Sequence, residues 1–493
     1  MPAPRRVLRP SPDAPDAPAV LRAGFAAIRV ELGVEEDHEP EALAEAEAAA
    51  LAPTGAGRAD LRDVPFVTLD PPGSTDLDQA MHLARDGAGY RVRYAIADTA
   101  VFVRPGGPLD RAAHRRVMTV YCPDTRVALY PSVLSEHAAS LRAGHDRPAV
   151  VWTLRLGADG GVLDVAVERA VVRSRAQLDY PTEQRRLDAG VPADDPLALL
   201  SEIGSRRVAL ERARGGVSLG RPEQEVVQTP DGGWALSFRA PLPIEDHNAQ
   251  ISLMTGMAAA AIMLEAGVGV LRTMPTAQPH DLARLRRQAL ALGVPWPRGA
   301  DYATVLRDVD HARPQGAAFL AAATGLFRGA AWTPFDGARP IDAGHGAVGA
   351  AYAHVTAPLR RLVDRYGLEV CLAAHAGRPV PEWVRAALPA IGDTMAGGAR
   401  RSAAVDRACT DLVEAVALAP RVGEDFSGVV LDERTVQLDE PAVVARLEQD
   451  HLAQGDVVRV RLVTADPATR TVRFRHVPAD APGTDAVEVG RAT

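Results

Sequence analysis

The chain has 493 residues and a formal net charge of −8, and its length points to one large domain with smaller ones rather than a single compact core. Hydrophobic residues at 47% fit a soluble globular protein. No apolar run approaches the ~18 residues of a membrane span, so no membrane association is expected. The acidic balance argues against a uniformly basic nucleic-acid binder but leaves room for a local basic channel.

The N-terminal MPAPRRVLRPSPDAPDAP carries two early arginines without the apolar core of a secretory signal, and residues 1–18 are expected to form a disordered tail. Cys122, Cys371 and Cys409 stand far apart, with no CxxC pair and no zinc spacing, so reduced cysteines in a cytoplasmic protein are expected. None of the 55 basic residues is a lysine, which a GC-rich genome explains. Every cationic contact to a phosphate must then come from arginine, whose planar fork binds two oxygens at once.

Ala19 to about Ala52 has a helical, Ala/Glu-rich pattern closed by Pro53 and Gly55. From Val64 the character changes. VPFVTLD reads as a strand ending in a Pro-Pro-Gly turn. AMHLARDGAGYRVRYAIAD reads as a hairpin turning at Arg85–Gly89, and VVWTLRLGADGGVLDVAVERAVV as a second turning at Asp159–Gly161. After Pro243 helical patterns take over, first AQISLMTGMAAAAIMLEAG and then HDLARLRRQALALG, with further helices expected around Pro358–His375 and Gly398–Ala419. Strands first and helices later predict an α+β domain. Beyond Pro420, FSGVVLD, TVQL, GDVVRVRLVTAD and TVRFRHV are short strands that suit a small OB-like β-barrel.

Asp70, Asp76 and Asp78 fall on a strand end and the loop after it, where Pro71, Pro72 and Gly73 force a sharp turn. Asp76 and Asp78, two apart, share a face if that stretch is extended. Clustered carboxylates raise one another's pKa values, and a hard cation such as Mg²⁺ removes that penalty while keeping sites for water and phosphate. On the aspartates alone, a solvated acidic loop and a metal site both fit.

VPFVTLDPPGSTDLDQA strongly resembles the signature of the ribonuclease II/R (RNB) family, an aspartate, five residues, then Asp-x-Asp-Asp. YAIADTAVFVRPGGPLDRAAHRRVMTVYCPD, LYPSVLSEHAASLRAGHDRPAV, RSRAQLDY and YAHVTAPLRRLVDRY resemble later segments of the same family in the same order. The resemblance implies an RNB catalytic domain at 61–417, preceded by a tail and helical region at 1–60 and followed by an OB-like RNA-binding barrel and tail at 418–493. It implies that Asp70, Asp76, Asp78 and the residue at the fourth acidic position, Gln79, hold Mg²⁺, with Mn²⁺ as an alternative. Asp78, Asp76 and Arg360 would be catalytic, with Arg360 on the scissile phosphate. Tyr121 would pack on the terminal nucleotide and Tyr180 would position the 3′ end, with Arg361 among the RNA contacts. Stacking on aromatic faces accepts every base.

Three features depart from the family pattern. Gln79 keeps a coordinating oxygen but loses a charge, which predicts weaker Mg²⁺ binding or coordination through water. The stretch ISLMTGMAAAA has no acidic residue, and Leu362 replaces an aromatic. The region before the catalytic domain is too short and too helical for two cold-shock barrels, so a more open RNA entrance is expected. The implied activity is Mg²⁺-dependent hydrolytic 3′→5′ degradation of single-stranded RNA to 5′-nucleoside monophosphates, with no obligate protein partner. An RNA-binding protein that lost turnover, or a nuclease restricted to short oligoribonucleotides, stands as the alternative.

Overall fold

The computed structural model describes residues 7–8, 17–217, 223–229, 232–310, 313–438, 443–448 and 452–478. Most of the tail expected at 1–18, and the tail after the C-terminal barrel, lie outside these residues. A short strand, β1 (Val7–Leu8), and two helices, α1 (Ala17–Glu31) and α2 (Pro40–Leu51), come first. In α1 the buried Ala17, Leu21, Phe25 and Ile28 recur at the spacing of one helix face, the pattern that seats a helix on a core.

Strands β2 (Ala59–Asp70), β3 (Gln79–Asp86) and β4 (Gly89–Ala97) follow. Gly87 at φ +60° closes the β3–β4 hairpin where the turn was expected. Helix α3 (Pro108–Arg116) and a small hairpin, β5 (Val120–Tyr121) with β6 (Arg126–Val127), intervene before β7 (Asp146–Leu156) and β8 (Val162–Asp179). The long strands close a barrel in the order β2-β3-β4-β7-β8. Its parallel closure, β2 on β8, sets Asp70 opposite Asp179 at the barrel rim. Inside, Tyr94 and Trp152 sit directly across from each other on β4 and β7, and both are buried.

Helices α4 (Tyr180–Ala189) and α5 (Pro196–Ala213) lead to β9 (Glu223–Gln228) and β10 (Trp234–Arg239), and β10 pairs with β9 on one side and β1 on the other. The helical half starts with α6 (Pro243–Ala266). By length and composition α6 is apolar enough to cross a membrane, contrary to the expectation that no segment is. Packing explains the composition: Ile244, Ile251, Met254 and Met263 lie in the main core. Strand β11 (Val268–Thr273) pairs with β12 (Ala331–Asp336), and α7 (Pro279–Ala291), α8 (Tyr302–Asp308) and α9 (Pro314–Ala323) lie between them in sequence.

A two-stranded pair, β13 (Gly344–His345) and β14 (Ala350–Ala351), precedes α10 (Leu362–His375) and the 37-residue α11 (Glu382–Leu418). Helix α10 starts later than the sequence pattern predicts, because Pro358–Arg361 form a turn. Helix α11 starts earlier and carries Pro389 within it, a residue that normally marks a helix end. Strands β15 (Asp425–Asp432), β16 (Thr435–Leu438), β17 (Val444–Leu447), β18 (Val457–Asp466) and β19 (Thr471–His476) close a second, OB-like barrel in the order β15-β16-β17-β19-β18. The fold is α+β as expected, a β-rich first half, a helical second half and a terminal barrel.

Trp152 lies across from Tyr94 in the first barrel, and the Tyr94 hydroxyl in turn meets Gln79 at the start of β3, directly after the loop that carries the aspartates. Trp152→Ala is expected to cost about 3–5 kcal/mol, read as a lower midpoint in thermal or urea unfolding.

Candidate active site

The loop between β2 and β3 is fixed from several sides. Gly73 at φ +80° makes the turn after the two prolines. The buried Leu77 anchors the loop, its amide donating to Ser140 Oγ (3.0 Å) while Ser140 Oγ donates to the Thr75 carbonyl (2.7 Å). Gln177 Nε2 on β8 donates to the Ser74 carbonyl at 2.7 Å. The loop is thus tied to the barrel and to the segment before β7, and its carboxylates have little freedom to swing.

Asp78 is 1% exposed. One oxygen, Oδ1, accepts from the Leu359 amide at 2.7 Å. The other, Oδ2, has no hydrogen-bond partner among the described residues and lies 3.6 Å from Arg360 Nη1. Burial pushes this carboxyl up to about 7, with Arg360 and the Leu359 amide pulling the other way. Asp70 Oδ2 is also buried without a partner, and burial lifts Asp70 to about 6, again opposed by Arg360. Asp76 was expected to share a face with Asp78, but its carboxylate is paired with Arg126 and receives the Tyr121 hydroxyl at 3.4 Å. Arg126 also reaches Thr75 Oγ1 at 2.8 Å and pairs with Glu136.

A cavity of about 750 Å³ lies beside them, with walls that include Asp70, Asp76, Tyr121, Arg126, Glu136 and Arg360. Tyr121 is half exposed there. Tyr180 opens α4 nearby, and its hydroxyl accepts from Asn248 Nδ2 at 2.9 Å. Burial pushes the Tyr180 phenol up to about 12, and the Asp70 charge adds to the shift.

Two predicted site residues have other partners. The Gln79 amide is used at both ends: Nε2 donates to the Thr356 carbonyl and Oε1 accepts from the Tyr94 hydroxyl, each at 2.6 Å. It braces β3 against the segment before Arg360 instead of presenting a free oxygen to a cation. Arg361 grips Asp364 through Nε (2.9 Å) and Nη2 (2.7 Å), so these two donors are committed within the fold. Asp364, fully buried, also accepts the Ala357 amide at 2.6 Å and so shapes the turn that presents Arg360.

Residues 58–370 match the RNB domain, and residues 424–477 match the RNase II-type exonuclease C-terminal S1 domain. The chain belongs to the RNB family. It is 28% identical over 411 residues to ribonuclease R of Escherichia coli (strain K12), covering 76% of this chain and 48% of that protein. It is 34% identical over 172 residues to mouse exosome complex exonuclease RRP44, covering 34% of this chain and 18% of that protein. The chain therefore spans about half the length of ribonuclease R, and the match to RRP44 is shorter still. Its fold resembles the apo form of Mycoplasma genitalium RNase R, with TM-score 0.82 and 18% identity over 94% of this chain and 78% of that one. It also resembles yeast Ssd1, described as a pseudonuclease, with TM-score 0.66 and 15% identity over 85% of this chain and 53% of that one.

Within this RNB domain, the resemblance did not reveal Arg126, Glu136, Asp364 or Tyr94. Arg126 had one legible signal, its place opposite Tyr121 in a short hairpin. Tyr94 acts through contacts in other elements, Gln79 and Ser252, while Asp364 acts close by in sequence, on Arg361 and the Ala357 amide. Among the described residues, no three Asp, Glu, His or Cys side chains converge as a finished metal centre. Asp70 and Asp78 do offer the partnerless buried oxygens that a hard cation satisfies, and Asp76 could join them by leaving Arg126.

The raised carboxyl pKa values have a stability consequence. A carboxylic acid whose folded pKa lies above its unfolded value binds its proton more tightly when folded. Its contribution is complete below about pH 4 and is lost as pH climbs through about 7. Without divalent ions, Asp78→Asn should therefore raise the melting temperature at pH 8 and leave it nearly unchanged at pH 4. Adding Mg²⁺ at pH 8 should stabilise the parent chain more than the variant. A second melt tests Gln79: Gln79→Asp removes the donor to the Thr356 carbonyl and should cost about 1–3 kcal/mol in metal-free buffer.

Proposed function

We propose that this chain is a Mg²⁺-dependent hydrolytic exoribonuclease that shortens single-stranded RNA from its 3′ end and releases 5′-nucleoside monophosphates. The observation that carries this reading is the pair of buried, partnerless carboxylate oxygens on Asp70 and Asp78, the latter 3.6 Å from Arg360 Nη1, beside a cavity that Asp70, Tyr121 and Arg360 line. The names of the relatives, ribonuclease R and exosome complex exonuclease, support the same class.

Asp70 and Asp78 would hold the cation, which when bound supplies the charge that lets both ionise and that activates water toward phosphorus. Arg360 neutralises charge building on the scissile phosphate, and its planar fork suits two phosphate oxygens. Its backbone is held for that task by the Arg360 carbonyl accepting from the Thr119 amide at 3.1 Å and by Asp364 at the turn. The exposed Tyr121 ring offers a stacking face to a terminal base of any identity. Arg126, on the same wall, would be available to an RNA phosphate were Asp76 to join Asp70 and Asp78 in holding the cation.

A second reading, RNA binding without turnover, is favoured by one observation: the position of the family's fourth aspartate holds Gln79, and that amide is already engaged at both ends. The fold likeness to Ssd1 fits it too. One assay separates the readings. With 5′-end-labelled single-stranded RNA and Mg²⁺, a ladder shortening from the 3′ end with nucleoside monophosphates as co-product supports the nuclease. Arg360→Ala and Asp78→Asn should each lower kcat at least ~100-fold. Bound but intact RNA in every divalent ion would establish the second reading, and a substrate-length series shows whether only short oligonucleotides are cut.

A further inference from the structure

The hairpin β5–β6 has two faces. Its register pairs Val120 with Val127 and Tyr121 with Arg126. Side chains alternate along a strand, so the valines point one way and the tyrosine and arginine the other. Val120 and Val127 are buried in a second core built from α1, β10, α11 and the C-terminal barrel. Tyr121 and Arg126 line the active-site cavity. The two cavity residues therefore stand wherever that second core holds the back of the hairpin.

Helix α1 supplies the most specific hold. Arg29 is 4% exposed, and its guanidinium is paired with two carboxylates: Nη1 meets Asp124 Oδ1 and Nε meets Glu36 Oε1, each at 2.7 Å. Asp124 is in the tip that joins β5 to β6. Pro123, next to it, accepts the Trp234 indole N–H at 3.1 Å, and Phe25 of α1 packs edge-on against that indole at 5.3 Å between centroids. Helix α1 is itself fixed on α11, where a Cβ at Gly24 would come within 2.4 Å of Leu412 Cδ2. A buried ion pair between elements so far apart in sequence costs desolvation and is weak evidence for stability, but it fixes position, because losing either partner strands a charge.

Residues 17–31 lie outside the stretch that matches the RNB domain. We propose that α1 is a positioning element of the RNA site: Arg29, acting through Asp124, sets the β5–β6 hairpin so that Tyr121 and Arg126 face the cavity. The RNA part of this inference rests on the function proposed above, and the hairpin part does not.

The test uses the full chain and two readouts. Hydrogen exchange follows the amides of residues 119–127. Fluorescence anisotropy follows a fluorescein-labelled oligoadenylate in EDTA, so that binding is read without turnover. Arg29→Met and the milder Asp124→Asn should each speed exchange in 119–127 while leaving α6 protected, which also shows that the variants fold. Both should weaken RNA binding about tenfold, the size of one lost stacking contact, and Arg29→Lys should restore part of the loss. In a Tyr121→Ala/Arg126→Gln background, Arg29→Met should change affinity less than about twofold. Unchanged exchange in 119–127 overturns the inference whatever the RNA does, as does a full-sized affinity loss in the double-variant background. If the parent chain binds no RNA, the proposed function fails, and exchange in the hairpin still decides whether Arg29 positions it.

Discussion

Burial of the Asp78 carboxylate beside Arg360 is the constraint on which the rest of the site depends. A carboxylate with one oxygen on a backbone amide and the other on nothing is costly in a protein interior. Arg360 offsets part of that cost from 3.6 Å without making a hydrogen bond. Asp70, lifted by the same burial, adds a second oxygen of the same kind. The barrel rim, the Ser140 staple and the Asp364-shaped turn all serve to keep this arrangement from relaxing into solvent. The site is thus held ready for a positive charge in a place where the protein provides only half of one.

The two sides of the cavity are held by different parts of the molecule. The aspartate loop and the Arg360 turn belong to the first barrel and the main core, joined through the Gln79 bridge between Tyr94 and Thr356. The Tyr121–Arg126 wall belongs to a hairpin whose back packs in the second core, with α1, α11 and the terminal barrel. A displacement of the second core would move the Tyr121–Arg126 wall and with it the partners of Asp76, while Asp70 stays on β2 and Asp78 on the Leu359 amide.

Legibility in the sequence followed the range of the interactions. The hairpin at Asp86–Gly89 and the short strands after Pro420 were readable because turn residues and period-two alternation are local. The aspartates and Arg360 were readable only through a resemblance spanning the chain. The start of α10 at Leu362 was missed because Asp364 holds the preceding turn open by accepting the Ala357 amide. The early start of α11 was missed because tertiary packing overrides the helix-breaking tendency of Pro389. The resemblance implies a cation ligand at Gln79, whereas in the structure its amide meets Tyr94 and the Thr356 carbonyl; Thr356 stands almost three hundred residues away, so no local pattern encodes that contact.

Arg360 and Arg361 show how far one position can matter. They are chemically identical and adjacent, yet one lines the cavity and the other is locked onto Asp364 at two points. The difference comes from the turn. Asp364 takes the Ala357 amide and the Arg361 fork together, which pulls Arg361 inward and leaves Arg360 on the outer side, beside Asp78. The arginine that lines the cavity is therefore oriented through the neighbour that Asp364 holds. A sequence in which every cation is arginine carries no compositional hint of that division. It is made by a single buried carboxylate and read only from the folded chain.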